Sequence, residues 1–242
     1  MPQPPDADDV AQRRSAGDDV INTIYDGAGS PNNRSTLLIM LPGATQKPQD
    51  FIAHGFVAVL RERNLPVTVA IADAHAGYYL EHSVVQRLRA DVLEPAQAQS
   101  YRATWLLGIS LGGLGALLYA REHARDLAGV IVLAPYLGVA GLMAEVQRAG
   151  GLDAWRPDEI MPNDDERRVL AWLRTYCPSK CRLPIYLAYG EQDRFVQASV
   201  LLKQRLPSSR FVSMSGGHDW TTWRGLWLKL LDRGILNHPG AV

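Results

Sequence analysis

The sequence has no excess of charge of either sign, no basic run and no long apolar stretch. Its 242 residues include 25 Lys and Arg and 25 Asp and Glu, so the formal net charge is zero. A nucleic-acid-binding protein usually carries a basic patch or stripe, so we expect no nucleic-acid partner. A membrane span needs ~20 apolar residues. The most apolar segment, 105–120, is interrupted by Ser110 and by four glycines, so we expect no membrane span.

Cysteine is scarce, and the N-terminus lacks the features of an export signal. The two cysteines, Cys177 and Cys181, lie in one short segment with no histidine nearby, which is too few ligands for a metal site. Such a pair could form a local disulfide or remain as two thiols. We favour the thiols, since nothing else indicates export. The N-terminus has neither a basic region nor an apolar core, so we expect a cytoplasmic protein.

The length and composition of the chain suit one α/β domain. Of the 242 residues, 47% are hydrophobic, which is enough to build a sizeable core. Residues 1–18 are rich in Pro, Asp, Gln and Arg, and this composition predicts disorder. We therefore expect a single domain over residues 19–242.

Short apolar runs alternate with segments of helical periodicity over this domain. The predicted strands are 20–25, 35–41, 67–71, 105–107, 129–133, 184–189 and 210–214. The predicted helices are 51–63, 83–97, 114–120, 196–205 and 221–235. Residues 138–182 interrupt this order with two helical patterns, the second of which Asp164 can cap, and we interpret them as a small helical cap insertion. The alternation predicts an α/β fold: a mostly parallel sheet with helices on both faces.

One serine lies between a predicted strand and a predicted helix, in the segment Gly108-Ile109-Ser110-Leu111-Gly112. A tight turn leaves no room for side chains at the two glycines, because they would collide with neighbouring backbone. A strand, a sharp turn and a helix can hold a serine up as a nucleophile. The backbone amide of Leu111, at the start of the helix, would then point to where negative charge develops.

Two further polar residues follow later strands of the same predicted sheet. Asp193 comes after strand 184–189 and His218 after strand 210–214. Because ligands of such sheets bind at the carboxyl ends of the strands, we expect both residues to share one edge with Ser110. A serine nucleophile needs a base, and the base needs an acid that orients it. Glu191, two positions before Asp193, is the rival acid.

These motifs resemble those of the α/β-hydrolase superfamily, over about residues 35–236. Gly-Ile-Ser-Leu-Gly-Gly resembles the nucleophile elbow, and Gly-Glu-Gln-Asp-Arg resembles the acid turn. Gly-Gly-His-Asp-Trp-Thr-Thr-Trp-Arg resembles the histidine segment of the putative-esterase branch, which includes feruloyl, enterochelin and esterase-D-like enzymes. The resemblance implies that Ser110 is the nucleophile, Asp193 the acid and His218 the base, with no metal or organic cofactor.

The resemblance also implies an oxyanion hole made of two backbone amides. One amide is that of Leu111. The second follows the strand that ends at Leu41, and the resemblance indicates Ala44, with Gly43 as the alternative. Pro42 stands where many lipases and esterases have a histidine. The mechanism tolerates this change, because the donor it needs is a backbone N–H.

We therefore expect a carboxylesterase that acts on a small-molecule ester through an acyl-enzyme. An acyltransferase or a thioesterase with the same triad is an alternative, and so is a peptidase of the same fold. A non-catalytic binding module on a hydrolase scaffold is the alternative of another class. Such modules typically lack the serine or the histidine, whereas this chain retains both.

Overall fold

A single seven-stranded sheet forms the centre of the computed structural model, which describes residues 20–27, 36–99 and 101–236. The strand order is β1-β3-β2-β4-β5-β6-β7. The antiparallel pair is β1 with β3, and the other neighbours are parallel. The strands are β1 (Thr23–Asp26), β2 (Thr36–Leu41), β3 (Val67–Ala72), β4 (Ala103–Ile109), β5 (Gly129–Leu133), β6 (Ile185–Gly190) and β7 (Phe211–Met214). The predicted α/β class is confirmed, whereas the disorder predicted for residues 1–18 lies outside the described residues.

Helices connect the strands and cover the sheet. They are α1 (Pro48–Ala53), α2 (Phe56–Glu62), α3 (Ala76–Leu80), α4 (Val84–Leu88), α5 (Glu94–Gln97), α6 (Leu111–His123), α7 (Ala140–Arg148), α8 (Asp165–Thr175), α9 (Val196–Lys203) and α10 (Trp220–Asp232). Within the described part of the chain, no helix has the length and apolar character required to cross a membrane.

Each face of the sheet has its own hydrophobic core, because successive side chains of a strand point to opposite faces. In β2, Leu37, Ile39 and Leu41 contribute to the core under α4, α6, α8 and α9. Leu38 and Met40 contribute to the opposite core, under α1, α2 and α10. Because the strand is buried on both sides, it is a continuous apolar run in the sequence.

The prediction of a single helix over residues 51–63 is wrong. The structure has two helices there, α1 and α2, and Gly55 lies between them with φ at +76°. A left-handed residue ends an α-helix, and glycine adopts that conformation without steric cost. The hydrophobic spacing on both sides of Gly55 fitted one helix, so the pattern concealed the break.

The helix predicted over 83–97 is interrupted rather than continuous. Residues Arg89–Leu93 form a π-helical turn between α4 and α5. Pro95 lies in the first turn of α5, which begins directly after the π-helical turn, and proline has no N–H to donate to the carbonyl four residues earlier. The α-helical pattern therefore restarts with proline at a position where a helix tolerates it.

The first strand is also shifted from its predicted position, 20–25, to Thr23–Asp26. The backbone N–H of Ile21 donates to the carboxylate of Asp91 at 3.0 Å rather than to a neighbouring strand. The side-chain partner lies 70 residues away, so no local pattern could indicate it.

The segment between β5 and β6 contains α7 and α8, in agreement with the two helical patterns predicted over 138–182. Asp164 caps α8, and its Oδ1 accepts a hydrogen bond from the Arg167 amide at 3.0 Å. Beyond α8, Cys177 and Cys181 are both free thiols.

The ends of β2 and β4 pack against the start of α6 without intervening side chains. A Cβ atom added to Gly112 would lie 2.2 Å from the carbonyl oxygen of Leu41, and one added to Gly108 would lie 2.1 Å from that of Gly112. Both distances are far shorter than a van der Waals contact, and the atoms concerned are backbone atoms with little freedom to move. This packing fixes the height of α6 above the sheet.

We expect Gly112→Ala to lower the free energy of unfolding by about 3 kcal/mol or more, because the added methyl group must displace backbone. Gly141 is the matched control, since a Cβ added to this glycine of α7 meets nothing within 4 Å. Gly141→Ala should be neutral or stabilise the protein by up to about 1 kcal/mol. Urea denaturation of both variants measures the difference, and equal stabilities would contradict the close packing.

Candidate active site

Ser110 occupies a strained turn between β4 and α6. Its backbone has φ 54° and ψ −116°, a conformation that a non-glycine residue adopts only at an energetic cost. Its N–H donates to the carbonyl of Leu133 at 3.0 Å, and its own carbonyl accepts from the amides of Gly113 at 2.9 Å and Tyr136 at 3.0 Å. These bonds hold the turn in place, and the residue is only 5% exposed.

A chain of two hydrogen bonds joins Ser110 to the two residues predicted to act with it. Nε2 of His218 lies 3.0 Å from Oγ of Ser110. Nδ1 of the same imidazole lies 2.8 Å from Oδ2 of Asp193. The side chains of His218 and Asp193 are 8% and 0% exposed. The structure thus brings together three residues that the sequence separates by as much as 108 positions.

The carboxylate of Asp193 is oriented by its own loop after β6. Its Oδ1 accepts from the Phe195 amide at 2.7 Å, and its backbone N–H donates to the carbonyl of Gly190 at 3.1 Å. A carboxylate can only accept, so Nδ1 of His218 carries the proton in this arrangement. Nε2 of the neutral imidazole is then free to accept the hydroxyl proton of Ser110.

Glu191, the rival acid, faces elsewhere. This residue is exposed, and its Oε1 accepts a hydrogen bond from the hydroxyl of Ser213 at 2.9 Å. The geometry therefore favours Asp193 as the partner of His218.

Two aromatic rings hold the imidazole of His218 between them. The Phe195 ring centroid lies 5.0 Å from that of the imidazole, with the planes at 86°. The Trp223 ring lies 4.8 Å away at 89°. No role for Phe195 is predicted from the sequence, although this residue stands two positions after Asp193 and shares its loop.

Asp219, directly after His218, has a structural role at the start of α10. Its Oδ1 accepts from the Thr222 amide at 2.9 Å, and this hydrogen bond is the main cause that lowers the pKa of the carboxyl. A charged carboxylate at a helix N-terminus stabilises the helix. The cap therefore fixes where α10 begins and, with it, the end of the His218 loop.

The two backbone amides predicted to bind the oxyanion belong to α6 and to the loop after β2. Leu111 is the first residue of α6, and the first N–H groups of an α-helix have no partner within the helix. The loop after β2 passes close by, since a Cβ atom added to Gly43 would lie 3.1 Å from Cβ of Ser110. Ala44 follows in a turn closed by the Gln46 amide, which donates to the Gly43 carbonyl at 3.3 Å. Both predicted amides thus belong to segments adjacent to the serine.

Taken together, the site contains the elements of acyl transfer to a serine. A hydroxyl, an imidazole and a buried carboxylate are hydrogen-bonded in series, and the hydroxyl belongs to a residue that directly precedes a helix and lies close to the loop after β2. This arrangement suits the attack of an oxygen nucleophile on a carbonyl carbon and the stabilisation of the resulting oxyanion.

Solved structures of hydrolases share the fold. A ferulic acid esterase superposes with a TM-score of 0.62 at 13% identity, over 90% of this chain and 98% of its own. Est1E from Butyrivibrio proteoclasticus superposes with a TM-score of 0.61 at 20% identity, over 88% of this chain and 94% of its own. S-formylglutathione hydrolase (FrmB) from Staphylococcus aureus superposes with a TM-score of 0.61 at 15% identity, over 83% of this chain and 82% of its own. These similarities establish the α/β-hydrolase fold.

A comparison with curated protein sequences gives no significant match. The sequence pattern that defines the esterase family described as "Putative esterase", in contrast, matches residues 26–231. This match spans the sheet from the end of β1 to α10 and confirms the resemblance noted in the sequence. The chain therefore belongs to the Putative esterase family.

Proposed function

We propose that this protein hydrolyses carboxylic esters of small molecules through an acyl-enzyme on Ser110. The observation that supports this most directly is the continuous hydrogen-bonded series from Oγ of Ser110 through His218 to Asp193, with distances of 3.0 Å and 2.8 Å. Membership of an esterase family supports the same reaction class.

In the first half of the reaction, Oγ of Ser110 attacks the ester carbonyl carbon while Nε2 of His218 removes the hydroxyl proton. The carbonyl oxygen becomes an oxyanion, and Asp193 stabilises the imidazolium that forms. Collapse of the tetrahedral intermediate breaks the bond to the alcohol oxygen. His218 gives its proton to this oxygen, so that the alcohol leaves and the acyl group remains on Ser110.

In the second half, water takes the place of the alcohol. The water oxygen attacks the acyl carbon while His218 accepts a proton from the water. The bond from the acyl carbon to Oγ of Ser110 then breaks, and His218 returns the proton to Oγ. The carboxylic acid leaves and the free serine is restored. The amides of Leu111 and Ala44 stabilise the oxyanion in both halves.

A substrate screen distinguishes the possible acyl and leaving groups. Two of the structural neighbours are named as a ferulic acid esterase and an S-formylglutathione hydrolase, so the screen includes a feruloyl ester and a thioester. p-Nitrophenyl esters of increasing chain length test the acyl group. Product ratios with and without added alcohol or thiol test whether water is the acceptor, and a dominant transfer product would favour an acyltransferase.

Ser110→Ala should lower kcat on the preferred ester by at least about 10⁴-fold, because no other nucleophile replaces the hydroxyl. Ser213→Ala is the matched control, since this serine lies at the end of β7 and binds Glu191. It should retain kcat within about twofold, as expected for a surface change. A fluorophosphonate should label the wild type and Ser213→Ala, but not Ser110→Ala. Hydrolysis by Ser110→Ala near the wild-type rate would refute the assignment.

Asp193→Asn should lower kcat by about 10⁴-fold, because an amide can donate to Nδ1 of His218 and thereby favour the wrong tautomer. Glu191→Gln removes the same charge two positions away and should change kcat by no more than about twofold, since Glu191 binds only a surface hydroxyl. Steady-state kinetics on the same ester measure both variants. A larger loss in Glu191→Gln would reverse the choice of acid.

Ala44→Pro should lower kcat by about 10²- to 10³-fold, because it deletes the N–H proposed to bind the oxyanion. Ala44 is the second residue of the turn Gly43–Gln46, a position that proline commonly occupies, so the turn is preserved. Ala44→Ser retains the amide and should keep the wild-type kcat. Equal activity of both variants would point to Gly43 as the donor.

A further inference from the structure

The two rings that hold the imidazole of His218 are themselves supported very differently. Trp223 belongs to α10 and is 1% exposed, so the helix and its core fix this ring. Phe195 lies in the loop after β6 and is only half-buried. The orientation of His218 therefore depends on what holds Phe195 on its loop side.

Tyr136 packs against Phe195. The two rings meet edge to face, with centroids 5.4 Å apart and planes at 75°. The guanidinium of Arg194 also contacts the Phe195 ring, 5.0 Å from its centroid, but this side chain is exposed to solvent. Tyr136 is thus the better-fixed neighbour of Phe195 on this side.

Tyr136 is held at two points. Its backbone N–H donates to the carbonyl of Ser110 at 3.0 Å, and its hydroxyl donates to Oε1 of Glu166 at 2.5 Å. Burial, and then the hydrogen bond to Glu166, raises the pKa of the phenol well above its usual range. The phenol is therefore protonated at neutral pH and donates the hydrogen bond to Glu166.

Glu166 is presented by a well-anchored helix. It lies in the first turn of α8, two positions after the capping residue Asp164. Arg167 pairs with Glu145 of α7, and Arg168 pairs with Glu122 of α6 at 2.8 Å. These contacts fix the start of α8, so the Glu166 carboxylate has a defined position relative to α6 and Ser110.

We propose that Tyr136 is a positioning residue, which keeps Phe195 against His218 because Glu166 of α8 holds its hydroxyl. The inference rests on the proposed function of the triad. Without the hydrogen bond, the Tyr136 ring and then Phe195 gain freedom, and the imidazole spends less time with Nε2 on Oγ of Ser110. A small misplacement of a reacting group lowers the rate of the chemical step. The cost therefore falls on kcat rather than on KM.

Tyr136→Phe tests the hydroxyl while it retains the ring. We expect about a tenfold loss both in kcat and in the rate constant for fluorophosphonate labelling of Ser110, with KM unchanged within about twofold. Tyr119→Phe is the matched control, because this buried tyrosine donates to Asp126 at 2.9 Å towards the other end of α6. It should keep both rates within about twofold, even if it lowers the melting temperature as much as Tyr136→Phe does.

Two substitutions of Glu166 test the acceptor. Glu166→Gln keeps an oxygen that accepts from Tyr136 and should retain most of the activity. Glu166→Leu removes the acceptor and should match Tyr136→Phe. The double variant Tyr136→Phe with Glu166→Leu should be no slower than the slower single variant, because both delete one interaction.

Several outcomes would overturn the proposal. The proposal is wrong if folded Tyr136→Phe or Glu166→Leu is labelled at the wild-type rate. It is also wrong if the losses in labelling rate of the two single variants add in the double variant. If Tyr136→Phe does not fold, the comparison of Glu166→Gln with Glu166→Leu tests the proposal without it. Equal labelling rates in these two variants would show that the hydrogen bond does not position His218. A wild type that neither hydrolyses esters nor reacts with the probe would instead reject the proposed function.

Discussion

The backbone packing of β2, β4 and α6 around Ser110 is the constraint on which the rest of the site depends. Strain of the kind seen at Ser110 costs about 1–3 kcal/mol and persists only where the surroundings enforce it. Here Gly108 and Gly112 allow backbone to meet backbone, and three backbone hydrogen bonds hold the serine. Any side chain at these glycines would push α6 away from β2, and the amide of Leu111 would move with it.

The parallel sheet solves the problem of bringing distant residues together. β4, β5, β6 and β7 are successive parallel neighbours, so their carboxyl ends lie along one edge. Ser110 follows β4, Asp193 follows β6 and His218 follows β7. The loops need only bridge the three strand spacings from β4 to β7, which amount to roughly 14 Å at the usual spacing. Short loops on a rigid edge can therefore hold hydrogen-bond geometry over 108 positions of sequence.

The sequence predicted the parts that have local signals. The apolar runs predicted the strands, and the glycine pattern with the order of Ser110, Asp193 and His218 predicted which polar residues would meet. It did not predict the break at Gly55, because hydrophobic periodicity continues across a single left-handed residue. The contacts of Tyr136 have no local signal either. Its partners lie in other elements, and only the packing of α8 over the sheet edge brings Glu166 to its hydroxyl.

The site combines two kinds of support. Next to Ser110, β5 is followed by Ala134, also a non-glycine residue with positive φ (47°), and the amide of Tyr136 joins this turn to the Ser110 carbonyl. Two strained turns therefore support one another through backbone hydrogen bonds, which leaves Ser110 little freedom. The loop that carries His218, between β7 and α10, is held at its ends, because the Gln192 amide donates to the carbonyl of Gly216 at 3.0 Å and Asp219 caps α10. The imidazole itself is held by side chains. The rings of Phe195 and Trp223 therefore contribute to its alignment together with the hydrogen bonds to Asp193 and Ser110.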